Sequence, residues 1–196
     1  MRVLGIVCEY NPFHNGHAYQ IRKAREESGA DALVCVMSGH YTQRGEPAIV
    51  DKWTRARMAI LNGADLVMEM PSLYAMSGAE SFAAAGIKLL LAAGMDVLSF
   101  GCETEKTNVL YDLAALFDQE PAVFRQELQQ FLRIGESYSV SRMKAAGRYI
   151  AQAEEILKQP GSILGIEYLK ALRREGRKDF PVVMVRRLGA AHKDEW

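Results

Sequence analysis

The feature that most constrains this chain is an alternation. Short runs rich in apolar and β-branched residues, "RVLGIVC", "ALVCVM", "DLVMEM" and "DVLSFG", recur through its first half with helical stretches between them, and "FPVVMVRRLG" follows much later. Strands that alternate with helices pair in parallel, because each helix carries the chain back before the next strand begins. The crossovers are right-handed and cover the sheet on both faces. The expected fold is therefore α/β, a Rossmann-like parallel sheet of about five strands with helices on both faces.

Glycines and caps mark where the helices should stop and start. The first is expected to begin near Gly16 or His17 and to end at Gly29; the second follows Asp51, a good N-cap, and ends at Gly63. A third, "SGAESFAAAGIKLLLAAG", closes at Gly94, and its small residues suit close packing on a sheet. Over residues 108–159 the pattern is helical almost throughout, broken at Pro121 and near Gly135. That stretch reads as a helical insertion in a single domain spanning 1–196, and "SILGIEYLKALRREG" is a further helix.

Composition narrows the function classes. The formal net charge is zero, so nothing draws the whole molecule to nucleic acid or a membrane, and any anionic partner needs a local patch. The longest apolar stretch, "AAAGIKLLLAAG", is broken by Lys88 and too short to span a bilayer. With no signal-peptide pattern at its start, the chain is expected to be cytoplasmic, with no membrane partner. Cys8, Cys35 and Cys102 show no CxxC spacing and no even count, so they are expected as buried small hydrophobes.

Parallel sheets bind ligands beyond the carboxyl ends of their strands. Polar clusters sit in those places here: "EYNPFHNGH", "SGHYTQRGEP", "PSLY" and "GCETE" follow the first four runs. In the first cluster Asn11 and Pro12 turn the chain out of the strand, and Gly16 allows close approach to the backbone at a helix start. The amides and positive dipole end of that helix favour an anion, with phosphate the natural candidate. The stretch has neither the GxxxxGK[ST] of a P-loop nor a GxGxxG. His14 and His17, one helical turn apart, are the groups placed to reach one phosphate. A histidine in a turn is commonly a solvated or capping residue, but HNGH between a strand and a helix favours the phosphate role. The same spacing suits a metal only if a third ligand such as His40 or Glu9 joins, and no HExxH is present, so no metal site is expected.

Lys52 and Arg55 lie three apart on one predicted helix, with Gln43 and Arg44 in the loop before it. They are candidates to hold an anion together, against the plainer reading of a solvated helix face. Lys170, Arg173, Arg174, Arg177 and Lys178 form the most basic run, a candidate surface for nucleic-acid phosphates or a helix end with cations near its negative pole.

Four segments carry a resemblance: "GIVCEYNPFHNGHAYQI", "MSGHYTQRGEPAIVDKWTRARMA", "ADLVMEMP" and "LSFGCE". They resemble the tRNA(Met) cytidine acetate ligase family, a branch of the HIGH-motif nucleotidyltransferase superfamily. The resemblance continues through "GSILGIEYLKAL" and "RRLGAA", and so covers nearly the whole chain. It implies the HIGH-motif nucleotidyltransferase fold, ATP as substrate, and acetate activated as acetyl-adenylate before transfer to a tRNA cytidine, the wobble position of elongator tRNA(Met). It implies an ATP-binding loop from Ile6 and Val7 through Glu9, Tyr10, Asn11, Pro12, Phe13, His14, Asn15, Gly16 and His17 to Tyr19. It also places Gly101 near the nucleotide, Arg187 on the phosphates and Ser162 in the position of a family asparagine.

With that resemblance, His14, His17, Lys52 and Arg55 become the expected catalytic groups, and Mg²⁺ on the phosphates is expected to accompany ATP. Tyr10, Phe13 and Tyr41 are candidates to wall an adenine or the acetate pocket, or else belong to the core. Members of the family continue into a further helical part that this sequence lacks, so only weak tRNA binding is expected. Two other functions fit the same residues. One is transfer of AMP to a phosphate-bearing cofactor precursor; the other is nucleotide or RNA binding without catalysis.

Overall fold

The computed structural model of the chain describes residues 1–187. The end of the "RRLGAA" segment, from Leu188 onward, lies outside the described residues. Five strands form one sheet: β1 (Val3–Cys8), β2 (Ala32–Ser38), β3 (Leu66–Met70), β4 (Val97–Cys102) and β5 (Val182–Arg186). All the pairings are parallel, and the spatial order is β3-β2-β1-β4-β5. β1 therefore sits in the middle, with Ile6 level with Cys35 of β2 on one side and Ser99 of β4 on the other.

Strand side chains alternate between two cores. Leu4 and Ile6 of β1, with Leu33, Cys35 and Met37 of β2, pack under α1 (Asn15–Ser28) and α2 (Lys52–Leu61), which contribute Ile21, Ala24 and Ala59. Val3 of β1, Val34 and Val36 of β2, and Leu98 and Phe100 of β4 face the other way. There they meet α4 (Ala79–Ala92), α5 (Thr107–Gln119) and α9 (Pro160–Arg174). Burial on both faces is why the strands read as nearly unbroken apolar runs. Cys35 and Cys102 are buried as expected, whereas Cys8 is only partly so.

The helix ends follow their local signals. Gly29 stands in the left-handed region at φ 61°, where its amide bonds Arg25 and closes α1. Asp51 accepts from the amides of Trp53 and Thr54 and opens α2. Between β4 and α9 run α5, α6 (Ala122–Arg133), α7 (Tyr138–Gly147) and the short α8 (Ala153–Ile156), with Pro121 and Gly135 at the breaks. A single turn, α3 (Ser72–Ala75), follows β3. Among the described residues, no helix is long and apolar enough to cross a membrane.

The basic run of the sequence does not form a free cationic face. Lys170 is buried against Glu167 at 2.5 Å and Glu80 at 3.4 Å, and Arg174 bonds Glu80 at 2.5 Å. Arg173 meets Asp118 at 3.4 Å. Glu167 in turn accepts from Arg142 of α7 at 3.0 Å, and that guanidinium stacks over Phe117 of α5. These charges tie α9 to α4, α5 and α7, leaving Arg177 and Lys178 as the part of the run without a carboxylate partner among the described residues.

Close backbone packing in the larger core depends on Gly86 of α4, where an added Cβ would lie 2.6 Å from Val7 Cγ2 of β1. Gly86→Ala should lower the unfolding free energy by about 1–3 kcal/mol in a urea titration. Because the clash is with Val7, the Val7→Ala/Gly86→Ala pair should lose less than the sum of its single changes. Strict additivity would show that the close approach is not what the glycine provides.

Candidate active site at the carboxyl ends of β1 and β4

The strand order reverses at β1: one run of neighbours, β2 and β3, goes to one side, and β4 and β5 go to the other. Loops leaving β1 and β4 therefore part, and the crevice between them is where such sheets take ligands. The turn after β1 is built tightly. Tyr10 holds φ 47°, a left-handed conformation that costs a side-chain-bearing residue about 1–3 kcal/mol, and its ring is buried with the hydroxyl 3.6 Å from Cys35 Sγ. The Asn11–Pro12 peptide is cis. Phe13 packs edge-on against Tyr10 at 4.9 Å between ring centres.

His14 is the N-cap of α1, which begins one residue earlier than expected, at Asn15. Its Nδ1 accepts from the Gly16 amide at 3.1 Å, while His17 Nδ1 accepts from the His14 amide at 3.2 Å. This is a reciprocal capping box with imidazoles in place of the usual hydroxyl and carboxylate. The rings stack at 3.7 Å. The helix start is thus less open to an anion than the sequence suggests, since the His14 ring already takes the Gly16 amide. The histidines offer something else. An Nδ1 that accepts leaves the ring proton on Nε2, so the His17 ring presents an N–H donor at its far end. Burial, then the neighbouring His14 and Arg187, lower the His17 pKa to about 3, so this donor is neutral at pH 7.

The loop after β2 is pinned to the β1 turn. Glu9 Oε1 accepts from the Gln43 amide at 2.6 Å, and Asn11 Oδ1 from the Ile49 amide at 2.7 Å. Arg55 corrects an expectation. It does not share an exposed face with Lys52 but is fully buried, its guanidinium donating to the carbonyls of Glu9 at 2.6 Å, Ser38 at 3.1 Å, Val50 at 3.0 Å and Gly39. A group so occupied ties the β1 turn, the end of β2 and the loop before α2 together. Lys52 turns to Glu69 at the end of β3, at 2.6 Å, and stays partly exposed.

On the other side of the crevice, Gly101 of β4 lies under Arg187, whose Nε would be 3.3 Å from a Cβ at that position. Ser162 is present but covered. Its amide and Oγ lie 2.9 and 3.0 Å from Glu103 Oε2, and it is buried at the start of α9. Glu103, in the GCETE cluster and on sequence grounds only a weak candidate for Mg²⁺, is instead taken up by the start of α9, where it also accepts from the Gly161 amide at 3.0 Å. Ile6 and Val7 lie within β1, with side chains turned to the two cores. Pro12, Asn15 and Gly16 are exposed on the turn, and Tyr19 is half-buried on α1 beside Arg22. No three His, Cys, Asp or Glu side chains are grouped to hold a metal among the described residues.

The profile of the HIGH nucleotidyl transferases matches residues 1–196. The chain belongs to this family. Among curated HIGH-family relatives, it is 42% identical to a tRNA(Met) cytidine acetate ligase of Halothermothrix orenii over 98% of this chain and 48% of that protein. It is 41% identical to one of Clostridium novyi, over 100% of this chain and 50% of that one. The crystal structure of Thermotoga maritima TmcAL bound with alpha-thio ATP superposes with a TM-score of 0.91 at 36% identity, covering 97% of this chain and 47% of that one. The chain spans about half the length of the curated relatives it matches.

Two outcomes follow from the geometry. Arg55→Ala strands several buried carbonyls and should cost about 3 kcal/mol or more in urea unfolding, whereas Lys52→Ala, which breaks a partly exposed pair, should cost under about 1 kcal/mol. Equal losses would show the buried guanidinium to be worth no more than a surface charge. The second concerns His17. The unfolded chain takes up its proton near pH 6.5 and the folded ring only near about 3, so its contribution to stability is whole above 6.5 and lost progressively as pH falls toward 3. The His17 ring resonances in NMR should therefore stay still between about pH 8 and 5, and a midpoint near 6.5 would contradict the half-buried, neutral ring.

Proposed function

We propose that the chain carries the adenylate-forming part of a tRNA(Met) cytidine acetate ligase, acting in the cytoplasm on ATP and acetate. An acetate oxygen attacks the α-phosphorus of ATP, the bond to the β-phosphate bridging oxygen breaks, and pyrophosphate leaves, giving acetyl-adenylate. The exocyclic amine of a tRNA cytidine then attacks the acetyl carbonyl, AMP departs and the amine loses a proton to solvent. What supports this most directly is the stacked His14–His17 pair in the β1–β4 crevice, close enough to Arg187 for that charge to weigh on His17.

The first step brings two anions together, and at 4 Å and an effective dielectric near 20 one pair of unit charges repels by about 4 kcal/mol. The chain supplies Arg187 as a full charge and the Nε2–H of His17 as a neutral donor aimed by the capping box. Donors already fixed in place need no reorganisation as charge builds on the phosphorus oxygens. Tyr10 belongs to the core beneath this turn, and Phe13 packs against it. Mg²⁺ bound to the phosphates would neutralise part of their charge, and with no grouped carboxylates in the described site it would be carried in by the nucleotide. Transfer to tRNA would be poor from this chain, because the acids that pair Lys170, Arg173 and Arg174 leave few phosphate contacts on that face.

The test is pyrophosphate release from ATP with a panel of small carboxylic acids, with and without bulk tRNA. Acetate should drive release without tRNA. His17→Gln keeps an acceptor for the His14 amide, as glutamine does in ordinary capping boxes, but removes the imidazole. It should lower release by about 10²–10³-fold with the melting temperature nearly unchanged. Release that depends on a phosphorylated acceptor and ignores acetate would instead identify a transferase of AMP to a cofactor precursor.

A further inference from the structure

We propose that Glu103 is a positioning residue for the nucleotide: anchored on the first amides of α9, its carboxylate holds the Arg187 guanidinium over the end of β4, where the phosphates arrive. The inference rests on the nucleotide-activating role proposed above and adds to it a residue that the ligand itself need not touch.

The anchoring is unusually complete for a side chain at a crevice. Glu103 is the first residue after β4. Oε1 accepts from the Gly161 amide at 3.0 Å, and Oε2 accepts from the Ser162 amide at 2.9 Å with Ser162 Oγ at 3.0 Å. Gly161 permits this approach, since a Cβ there would stand 2.8 Å from Oε1 and 3.0 Å from the Gly101 carbonyl. The α9 N-terminus, which would otherwise attract an anion from solution, is thus filled from within.

Arg187 is fixed from two directions. Its amide bonds the Cys102 carbonyl at 3.0 Å, and its Nη1 lies 3.6 Å from Glu103 Oε1. The side chain crosses Gly101, which has no Cβ to obstruct it, and about half of it remains exposed. A guanidinium carries five donors in a planar fork, so one edge can stay with a carboxylate while another takes a phosphate oxygen. Without Glu103 the long side chain would have to be ordered at the moment of binding, and that ordering weakens affinity. Arg187 follows the carboxyl end of β5 and His17 lies in the first turn of α1, just after the carboxyl end of β1, so both stand at the same edge of the parallel sheet.

A helix cap that did nothing more would act independently of Arg187, and a double-mutant cycle separates the two cases. ATP binding is measured by calorimetry for the wild type, Glu103→Gln, Arg187→Ala and the double variant, with melting temperature followed alongside. Glu103→Gln retains an oxygen for the α9 amides but loses the charge. The expected result is a rise in Kd of about tenfold for each single variant and no further rise in the double. Independent, multiplying losses would reduce Glu103 to a cap and overturn the proposal. So would tighter ATP binding by Glu103→Gln, which would make the carboxylate a repulsive neighbour. If Glu103→Gln does not fold, Glu103→Asp replaces it in the cycle; it keeps the charge but is too short to reach both α9 and Arg187, and the same coupling is expected. A wild type that fails to bind ATP would refute the nucleotide-activating role itself, an outcome distinct from a wild type that binds with the two residues uncoupled.

Discussion

Everything at the site depends on β1 having a parallel neighbour on each side. Because β2 and β4 both pair with it, the connections that leave β1 and β4 run to opposite sides and open a crevice between them. Into that gap come the start of α1 with its two histidines, the end of β4 with Gly101 and Glu103, the start of α9, and Arg187 beyond β5. These parts are far apart in the chain. A sheet with β1 at its edge would carry the same residues and bring few of them together.

The site is stiffened by charges that the backbone itself satisfies. A buried charge without partners is costly, and the chain has two ways of avoiding that cost. The Arg55 guanidinium is met by carbonyls from the β1 turn, the end of β2 and the loop before α2, so one side chain joins three segments. The Glu103 carboxylate is met by amides of α9. The two arrangements are mirror images in chemistry, a cation on carbonyls and an anion on amides. One holds the loops after β1 and β2, the other joins the end of β4 to α9, and the neutral His17 ring needs no counter-ion.

Several elements were legible because their signals are local. Each strand appeared as an apolar run since both of its faces are buried, and Gly29, Gly63 and Gly94 announced helix ends by adopting positive φ. HNGH drew attention for the right location, a strand end opening into a helix. The capping box it forms was not foreseen, because imidazoles seldom replace a hydroxyl and a carboxylate there. Lys52 and Arg55 show the limit of spacing. Three residues apart places them on neighbouring faces of one helix, but which of those faces turns inward depends on how α2 lies against β1 and β2.

The sequence by itself determined the kinds of element, their order and the polar clusters at the strand ends, because periodicity, caps and turn residues act over one or two turns of chain. Only the tertiary structure decided which charges would be free. Arg174 is neutralised by Glu80, 94 residues away, Arg173 by Asp118, 55 away, and Glu103 is bound by amides 58 and 59 residues later. Those partners are neighbours through the strand order and the packing of α9 on α4 and α5. A charge run in the sequence counts residues, whereas the field at a site depends on which of them remain unpaired once distant segments have met.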